Sequence, residues 1–442
     1  MEEIKKELLN KDLEEYKADS KNTIIRHMMS NQAMSEVIKS KDDIADVDFN
    51  FDINIETMSA TYQKQSGRCW IFAALNVLRE KIAKECNIAN FELSQSYIAF
   101  YDRLEKVNWT LEAIMECLGS SYDDRTLTFL LQGGISDGGQ WDMFVNIVEK
   151  YGLVPKNVYP ETSTSSGTRD TNSLINFTIR KFASDGKALL EKKGIDAVKK
   201  LKKQVMKKVY FLLVSAYGLP PENFDFEYTD KEGKYHLEKG YNPLSFKEKY
   251  IGDSLNDYIS IINAPTKDKP FNRLFTVKYL GNVVGGRPVT HLNLDMKRLK
   301  QLIVKQLKDA EVVWFGSDVS FYGDRINGYW DDRMFDSKTP FDLDWKMNKG
   351  ESLDYRASQM NHAMVITGVA TRNGNPTKWK IENSWGESNG KKGYYVMSSS
   401  WFDQFVYQAV VNKKYLNEDE LKAFDKKVIE LKPWDPMGSL AD

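Results

Sequence analysis

Apolar residues recur at helical spacing directly behind Cys69. Counted from Trp70, they fall at i, i+3, i+4, i+7, i+8 and i+12: Trp70, Ala73, Ala74, Val77, Leu78 and Ile82. Residues spaced in this way form one face of a helix. The pattern therefore predicts a core helix that carries Cys69 in its first turn.

Other helical patterns lie mainly in the first half of the chain. A break at residues 20–22 separates two exposed amphipathic stretches at the start of the chain. The predicted helices cover residues 1–20, 22 to about 41, a stretch beginning at 93–97, and residues 110–118, 141–150 and 296–308. The helix over 141–150 follows a glycine-rich loop that contains Gly138 and Gly139.

Patterns typical of strands lie in the sequence both before and after the main helical stretches. Five apolar residues alternate with polar ones between positions 42 and 58, namely Val47, Phe49, Phe51, Ile53 and Ile55. Later apolar runs over 311–317, 360–369, 379–382 and 393–397 are separated by glycine and asparagine turns. These runs predict an antiparallel sheet or partial barrel, so the fold class is α+β with a helical and a sheet lobe meeting at a cleft.

Loop composition sets the predicted domain bounds. Residues 160–172 are rich in Ser, Thr and Gly, and residues 220–270 are aromatic, charged and rich in turns. We predict a helical and extended arm over 1–55, a helical lobe over 56–165, a large, mainly helical insertion over 166–285, a sheet lobe over 286–432 and a C-terminal arm over 433–442.

Composition excludes several classes of protein. The 442 residues carry a net charge of -1 and are 41% hydrophobic, as expected for an ordinary globular chain. The longest apolar run, 209–219, is too short to span a bilayer, and the charged start lacks a signal segment, so we expect a cytoplasmic protein without a membrane partner. Three cysteines predict no disulfide framework, and no Cys/His spacing predicts a metal or other cofactor site.

Three residues far apart in sequence could form a nucleophilic site. Cys69 lies at a predicted helix start, where amide dipoles can lower a thiol pKa, and His362 begins a predicted strand. His362 would take the thiol proton, and the Asn383 side chain would orient the imidazole. Gln63 and the Cys69 amide would stabilise the oxyanion, while Trp385 would shield the His362–Asn383 hydrogen bond.

Each residue also has a structural interpretation. Cys69 can be a buried small hydrophobe, His362 a satisfied core histidine and Trp385 a core aromatic. The loop with Gly138 and Gly139 can be a plain turn before a helix, or its bare backbone can pair with an extended peptide. It does not match a nucleotide-binding fingerprint, because no strand leads into it.

The order of these motifs resembles that of the papain-type cysteine peptidases. Gln63 lies six residues before Cys69-Trp70, and His362 and Asn383-Ser384-Trp385-Gly386 follow. Ser66 stands where secreted members have a disulfide cysteine. His362 lies 293 positions after Cys69, against roughly 130–150 in the local signature, which requires a large insertion.

Further motifs resemble the bleomycin hydrolase and aminopeptidase C branch: Arg68 before Cys69, Asn361-His362-Ala363-Met364, and Pro433-Trp434-Asp435-Pro436-Met437-Gly438. The resemblance implies a papain-like core with helical and hook-like insertions, and catalysis by Cys69, His362, Asn383 and Gln63. It also implies peptide substrates contacted at Gly138, Gly139 and Trp385, cleavage of single residues from peptide N-termini, and a homohexamer that encloses its active sites.

The last ten residues contain two prolines and a glycine, which predicts a stiff extended arm. Ten extended residues reach at most ~33–36 Å, enough to enter a cleft on the same subunit. The resemblance implies that the terminal carboxylate, on Ala441 or Asp442, lies beside Cys69 and pairs with the substrate α-ammonium. A frayed terminus is the structural alternative.

Two other functions stay open from the sequence. The same thiol could serve an endopeptidase or a transacylase. Residues 187–208 hold nine lysines and two acidic residues at helical spacing, which could bind nucleic acid, although a solvated helix surface is the commoner explanation.

Overall fold

The computed structural model describes residues 1–40 and 48–441. Its helices are α1 Lys6–Ala18, α2 Ser20–Asn31, α3 Met34–Val37, α4 Cys69–Cys86, α5 Gln95–Cys117, α6 Arg125–Gly133, α7 Trp141–Tyr151, α8 Ser163–Ser166, α9 Arg169–Lys193, α10 Ile195–Tyr217, α11 Pro243–Tyr250, α12 Met296–Lys308, α13 Lys338–Phe341, α14 Lys349–Asp354, α15 Ser399–Phe405 and α16 Glu418–Leu421.

The strands are β1 Ile53–Asn54, β2 Phe224–Thr229, β3 Tyr235–Tyr241, β4 Tyr258–Ile262, β5 Arg273–Val277, β6 His291–Asn293, β7 Val313–Ser317, β8 Gly323–Asp324, β9 Tyr329–Trp330, β10 His362–Arg372, β11 Asn375–Glu382, β12 Tyr394–Ser398, β13 Val406–Asn412 and β14 Ile429–Leu431. All except β2 and β3 form one sheet in the order β14-β5-β6-β4-β13-β7-β10-β11-β12-β9-β8, with β1 paired to β10. The fold is α+β and papain-like.

The sheet lies between two layers of helices. Side chains of β10 alternate between its faces: Ala363 and Val365 pack in the core that contains α4, α5 and α7, whereas Met364 and Ile366 pack in the core that contains α12 and α15. This alternation follows from the period-2 geometry of a strand. The helical and sheet halves therefore meet where α4 lies against β10.

Helix α4 is more deeply buried than the sequence pattern predicted. The predicted apolar face is buried, and so are Ile71, Phe72 and Leu75 on the remainder of its surface. Two polar side chains of α4, Asn76 Nδ2 and Arg79 Nη2, donate to Glu382 Oε1 at 2.7 and 2.8 Å. These buried contacts attach the helix to the end of β11.

Several predicted elements differ from those observed. Residues 110–118 are not a separate helix, because α5 continues without interruption from Gln95 to Cys117. The first break falls at Asp19, whose side chain caps α2 by accepting from the Lys21 amide. In the described part of the predicted alternating segment, residues 48–58, only Ile53–Asn54 forms a strand, and Val47 lies outside the described residues.

The predicted insertion over 166–285 contains two kinds of structure. Helices α9 and α10 form a hairpin, and β2 and β3 form a separate two-stranded sheet. Strands β4 and β5, however, belong to the large sheet, so the sheet lobe begins near Tyr258 and not at 286. All five residues of β4 are buried, so the strand lacks the alternating pattern that would have predicted it.

The lysines of residues 187–208 do not share one helix. Gly194, at φ 74°, separates the end of α9 from the start of α10. Lys187 Nζ donates to the Leu118 and Ser120 carbonyls at 2.9 and 2.6 Å, and Lys202 pairs with Glu112. Part of this positive charge is therefore engaged within the chain.

Within residues 1–40 and 48–441, none of the helices is both long enough and apolar enough to cross a membrane.

Candidate active site

The start of α4 and the start of β10 bring Cys69 and His362 together. The amide of Ala363, the residue after His362, donates to Cys69 Sγ at 3.4 Å. Strands β10 and β11 pair antiparallel, which places Asn383, just past β11, beside the start of β10. His362 Nε2 donates to Asn383 Oδ1 at 2.9 Å. The imidazole and the carboxamide are therefore hydrogen-bonded to each other, and the thiol contacts the backbone of the residue that follows the histidine.

Trp385 covers the histidine of this group. Its ring stacks on the His362 imidazole with 4.8 Å between centroids and 27° between planes. Trp385 is half-buried, whereas His362 and Asn383 are 4% and 1% exposed. The indole therefore limits the access of water to the His362–Asn383 hydrogen bond.

Gln63 is held in one orientation by its neighbours. Its Oε1 accepts from Ser384 Oγ and its Nε2 donates to the Ser66 carbonyl, both at 2.6 Å. The Gln63 amide donates to the Ser384 carbonyl at 2.9 Å. Since Nε2 has two hydrogens, one remains for a substrate oxygen. Ser384 is not among the predicted site residues, although its place beside Asn383 in the sequence is a signal for it.

Burial opposes the charged form of both the Cys69 thiol and the His362 imidazole. Burial raises the pKa of the Cys69 thiol to about 11, because it outweighs the amides that donate to the sulfur and lower the pKa. Burial also lowers the pKa of His362 to about 4, and the hydrogen bond to Asn383 only partly offsets it. The expectation of a lowered thiol pKa at a helix start is therefore wrong here, because desolvation outweighs the amides. Charge separation requires proton transfer from thiol to imidazole.

A largely buried carboxylate that is not among the predicted site residues, that of Asp137, holds the loop before Cys69. Asp137 Oδ2 accepts from the Gly67 amide at 2.8 Å, and Oδ1 accepts from Asn172 Nδ2 at 2.7 Å. Thr168 and Arg103 also donate to it. Despite burial, the Arg103 charge and these hydrogen bonds lower the pKa of Asp137 to about 2. No spacing in the sequence links an acid in a glycine loop to these donors.

Gly67 is required for space and not for an unusual turn. Its φ is not positive, so the backbone conformation here does not itself require glycine. A Cβ at this position would lie 2.9 Å from the Asp137 Cβ. The absence of a side chain therefore lets the loop approach the carboxylate.

Gly138 and Gly139 contact the C-terminal segment of the same chain. The Gly139 amide donates to the Leu440 carbonyl at 2.9 Å, and Ser136 Oγ donates to the Ala441 carbonyl at 2.6 Å. A Cβ on Gly138 would overlap the Leu440 carbonyl oxygen, and a Cβ on Gly139 would lie 2.5 Å from the Trp70 ring. The bare backbone therefore accommodates a peptide segment, here residues 440–441.

The C-terminal segment is folded, not extended as predicted. Residues Pro436–Ala441 form a 3-10 helix, and the first five of them are buried. The Asp435 carbonyl and side chain accept from the Gly438 and Met437 amides, which starts the turn. Ser439 Oγ donates to the Met360 carbonyl at 2.8 Å, two residues before His362. Asp442 lies outside the described residues.

In the described parts of the chain, no cluster of three or more His, Cys, Asp or Glu side chains could hold a metal ion. The three cysteines, Cys69, Cys86 and Cys117, are free and buried.

Comparisons with known proteins agree with this geometry. The Peptidase C1-like family model matches residues 3–438. Aminopeptidase C of Lactobacillus delbrueckii subsp. lactis is 51% identical over 400 residues, covering 90% of this chain and 89% of the relative. Aminopeptidase C of Lactobacillus helveticus is 45% identical over 99% of both chains. The crystal structure of PepW from Lactobacillus rhamnosis is 44% identical, with a TM-score of 0.96 and 99% of both chains covered. The chain thus belongs to the Peptidase C1-like family.

Proposed function

We propose that the chain, a cysteine-type aminopeptidase by its family and relatives, releases residues one at a time from peptide N-termini through a thioester acyl-enzyme. The observation that carries the proposal is the position of Leu440. Its carbonyl accepts a hydrogen bond from the amide of Gly139, which lies against the ring of Trp70, the residue after Cys69. The chain's own backbone therefore uses a hydrogen bond that an extended peptide would need.

Acylation uses the Cys69 thiol and the His362 imidazole. As Cys69 attacks the scissile carbonyl carbon, its proton passes to His362, whose ring Asn383 holds in orientation. Gln63 Nε2 and the Cys69 amide donate to the resulting oxyanion. His362 then returns the proton to the leaving amine as the C–N bond breaks, which leaves a thioester.

Deacylation repeats the same proton movements with water. His362 removes a proton from the water that attacks the thioester, and the C–S bond breaks. The released thiolate takes the proton back from the imidazolium. Each charged pair exists only within the enclosed site, where opposite charges lie side by side and attract more strongly than they would in water.

The C-terminal segment would impose exopeptidase action. Residues 440–441 occupy the glycine loop. A peptide with further residues before the one that is released would therefore find no backbone partner there for those residues. A terminal carboxylate at this end of the cleft would pair with the α-ammonium of the substrate, a charge-assisted contact of ~1.5–3 kcal/mol. Ala441 and Asp442 are the two candidates for that carboxylate.

We also propose that the chain acts in the cytoplasm as a homohexamer, as its resemblance to the bleomycin hydrolase branch implies. Exposed apolar side chains on α1 and α2 support self-association, since Leu8, Leu13 and Ile24 are 55%, 48% and 59% exposed.

Replacing Cys69 by Ala should abolish turnover of all peptide substrates without unfolding the chain. The thiol supplies the nucleophile, whereas losing one sulfur from the start of α4 leaves its buried face intact. Turnover is measured with amino-acid arylamides, and folding by circular dichroism and thermal unfolding. Cys86→Ala is the matched control, because Cys86 is the last residue of the same helix. Residual hydrolysis by Cys69→Ala above the uncatalysed rate would contradict the assignment.

Replacing Gln63 by Ala should lower kcat by about 10²–10³, the usual cost of losing one oxyanion donor. Gln65→Ala is the control, because this nearby glutamine is exposed. Steady-state kinetics on one arylamide compare the two variants. Equal loss in both, or a change in KM alone, would remove Gln63 from the oxyanion site.

Deleting residues 440–442 should weaken cleavage of amino-acid amides and create activity on N-blocked peptides. The deletion frees the Gly139 amide and removes the proposed carboxylate. The rates on the free-amine and N-acetylated forms of one peptide give the preference for a free N-terminus. Deletion of Asp442 alone tests whether Ala441 or Asp442 supplies the carboxylate. An unchanged preference would refute the role of the segment. Cleavage of blocked peptides by the full chain would favour the endopeptidase alternative.

The double substitution Leu8→Glu and Leu13→Glu should dissociate the proposed hexamer, since two charges would enter an apolar interface on α1. Sedimentation velocity at several protein concentrations gives the assembly size, and Lys11→Glu on the same helix is the control for added negative charge. A monomeric parent chain would contradict the proposal. Cell fractionation tests the location.

A further inference from the structure

Two chemically different groups of residues lie around Cys69 and His362. Residues 440–441 bond to the glycine loop. Trp385 stacks on His362, and Arg325 lies over the Trp385 ring with its Cζ 4.3 Å from the ring centroid. Arg325 belongs to the turn between β8 and β9 and is exposed.

The Trp385 ring that carries Arg325 is held in place by its neighbours. It packs against Trp330 and Tyr395, with centroid separations of 6.2 and 5.9 Å. The Arg325 charge also reaches the catalytic histidine, because it contributes to the lowered pKa of His362. The guanidinium is therefore close enough to the reaction centre to interact with a bound substrate.

Arg325 lacks an acidic partner among the described residues. Buried or half-buried arginines elsewhere pair with carboxylates, for example Arg68 with Glu161 and Arg298 with Glu420. The nearest acid in sequence, Asp324, already pairs with Lys39. The face of Trp385 thus presents a guanidinium whose charge is not neutralised by the protein.

The direction of the substrate follows from the proposed function, on which this inference rests. If the free amine of the substrate faces residues 440–441, the leaving portion must run away from them, past His362 toward Trp385 and Arg325. The imidazole, the indole and the guanidinium follow one another at 4.8 and 4.3 Å, and two or three extended residues of ~3.3–3.6 Å each can cover that combined distance.

We propose that Arg325 binds a carboxylate in the leaving portion of the substrate, at the first or second residue after the scissile bond. A guanidinium matches a carboxylate through two parallel hydrogen bonds. The carboxylate is the C-terminus of a di- or tripeptide, or an acidic side chain in a longer peptide. The enzyme is thus tuned to short peptides with free C-termini, or to peptides with an acidic residue after the cleaved bond.

Two pairs of substrates separate these sources. All four substrates begin with the same residue, X, which is the one that the parent chain releases fastest from an arylamide. The first pair is the dipeptide X-Ala and its C-terminal amide, and the second is X-Asp-amide and X-Asn-amide. The ratio of kcat/KM within each pair is measured at low and high salt. Any general loss of activity cancels, because each ratio is taken within one variant.

For the parent chain we expect the charged member to be favoured by about three- to tenfold in at least one pair, with a smaller ratio at high salt. Arg325→Met should bring that ratio close to one, Arg325→Lys should retain part of it, and Arg325→Glu should invert it. Arg26→Met, on exposed α2, is the control and should keep the parent ratio. If only the first pair gives a ratio above one, Arg325 binds the C-terminal carboxylate of the peptide. If only the second pair does, Arg325 binds an acidic side chain.

A parent ratio of one in both pairs, or a ratio that survives in Arg325→Met and Arg325→Glu, would overturn the inference. That result differs from failure of the proposed function, which would appear as no release of N-terminal residues from arylamides or peptides. Circular dichroism of each variant shows whether it is folded, and the Lys and Glu variants keep the test valid should the Met variant fail to fold.

Discussion

A buried contact between one helix and one strand sets the geometry on which the site depends. Arg79 and Asn76 of α4 both donate to Glu382, the last residue of β11, and all three side chains are buried. Removing one partner of such a pair leaves a charge without solvent or counterion, at a typical cost of about 3–5 kcal/mol. The helix that begins with Cys69 and the strand that leads to Asn383 are thereby fixed to each other, so the proposed nucleophile and its orienting amide keep one separation.

The same enclosure that holds the site together also controls its charge. Burial raises the pKa of the thiol and lowers that of the imidazole, so each group alone resists ionisation. In the proposed mechanism, transfer of one proton between them changes both at once and creates opposite charges side by side. Asn383, Trp385 and the Cys69 helix start would then stabilise a charged pair that neither group could form alone.

Local patterns predicted the parts of the structure that depend on local forces. Periodicity was enough for the Cys69 helix and for the strand that begins at His362, because each buries side chains at a regular spacing. It missed β4, which is buried on both faces, and it divided α5 where no residue breaks the helix. The role of Asp137 could not be predicted from local patterns, because the groups that donate to it come from three distant parts of the chain: Gly67, Arg103, and Thr168 with Asn172. The curled shape of residues 436–441 depends on the pocket that receives them, so prolines alone suggested an extended arm.

Covalent attachment gives the C-terminal segment a property that no free peptide has. Its local concentration at the glycine loop is set by the tether and reaches the millimolar range typical of short linkers, whatever the amount of protein present. Dilution cannot remove it, and a released amino acid cannot readily displace it. Under the proposed function, selectivity at this loop would therefore depend on residues 440–441, and a substitution there would change it without any change at Cys69, His362 or Asn383.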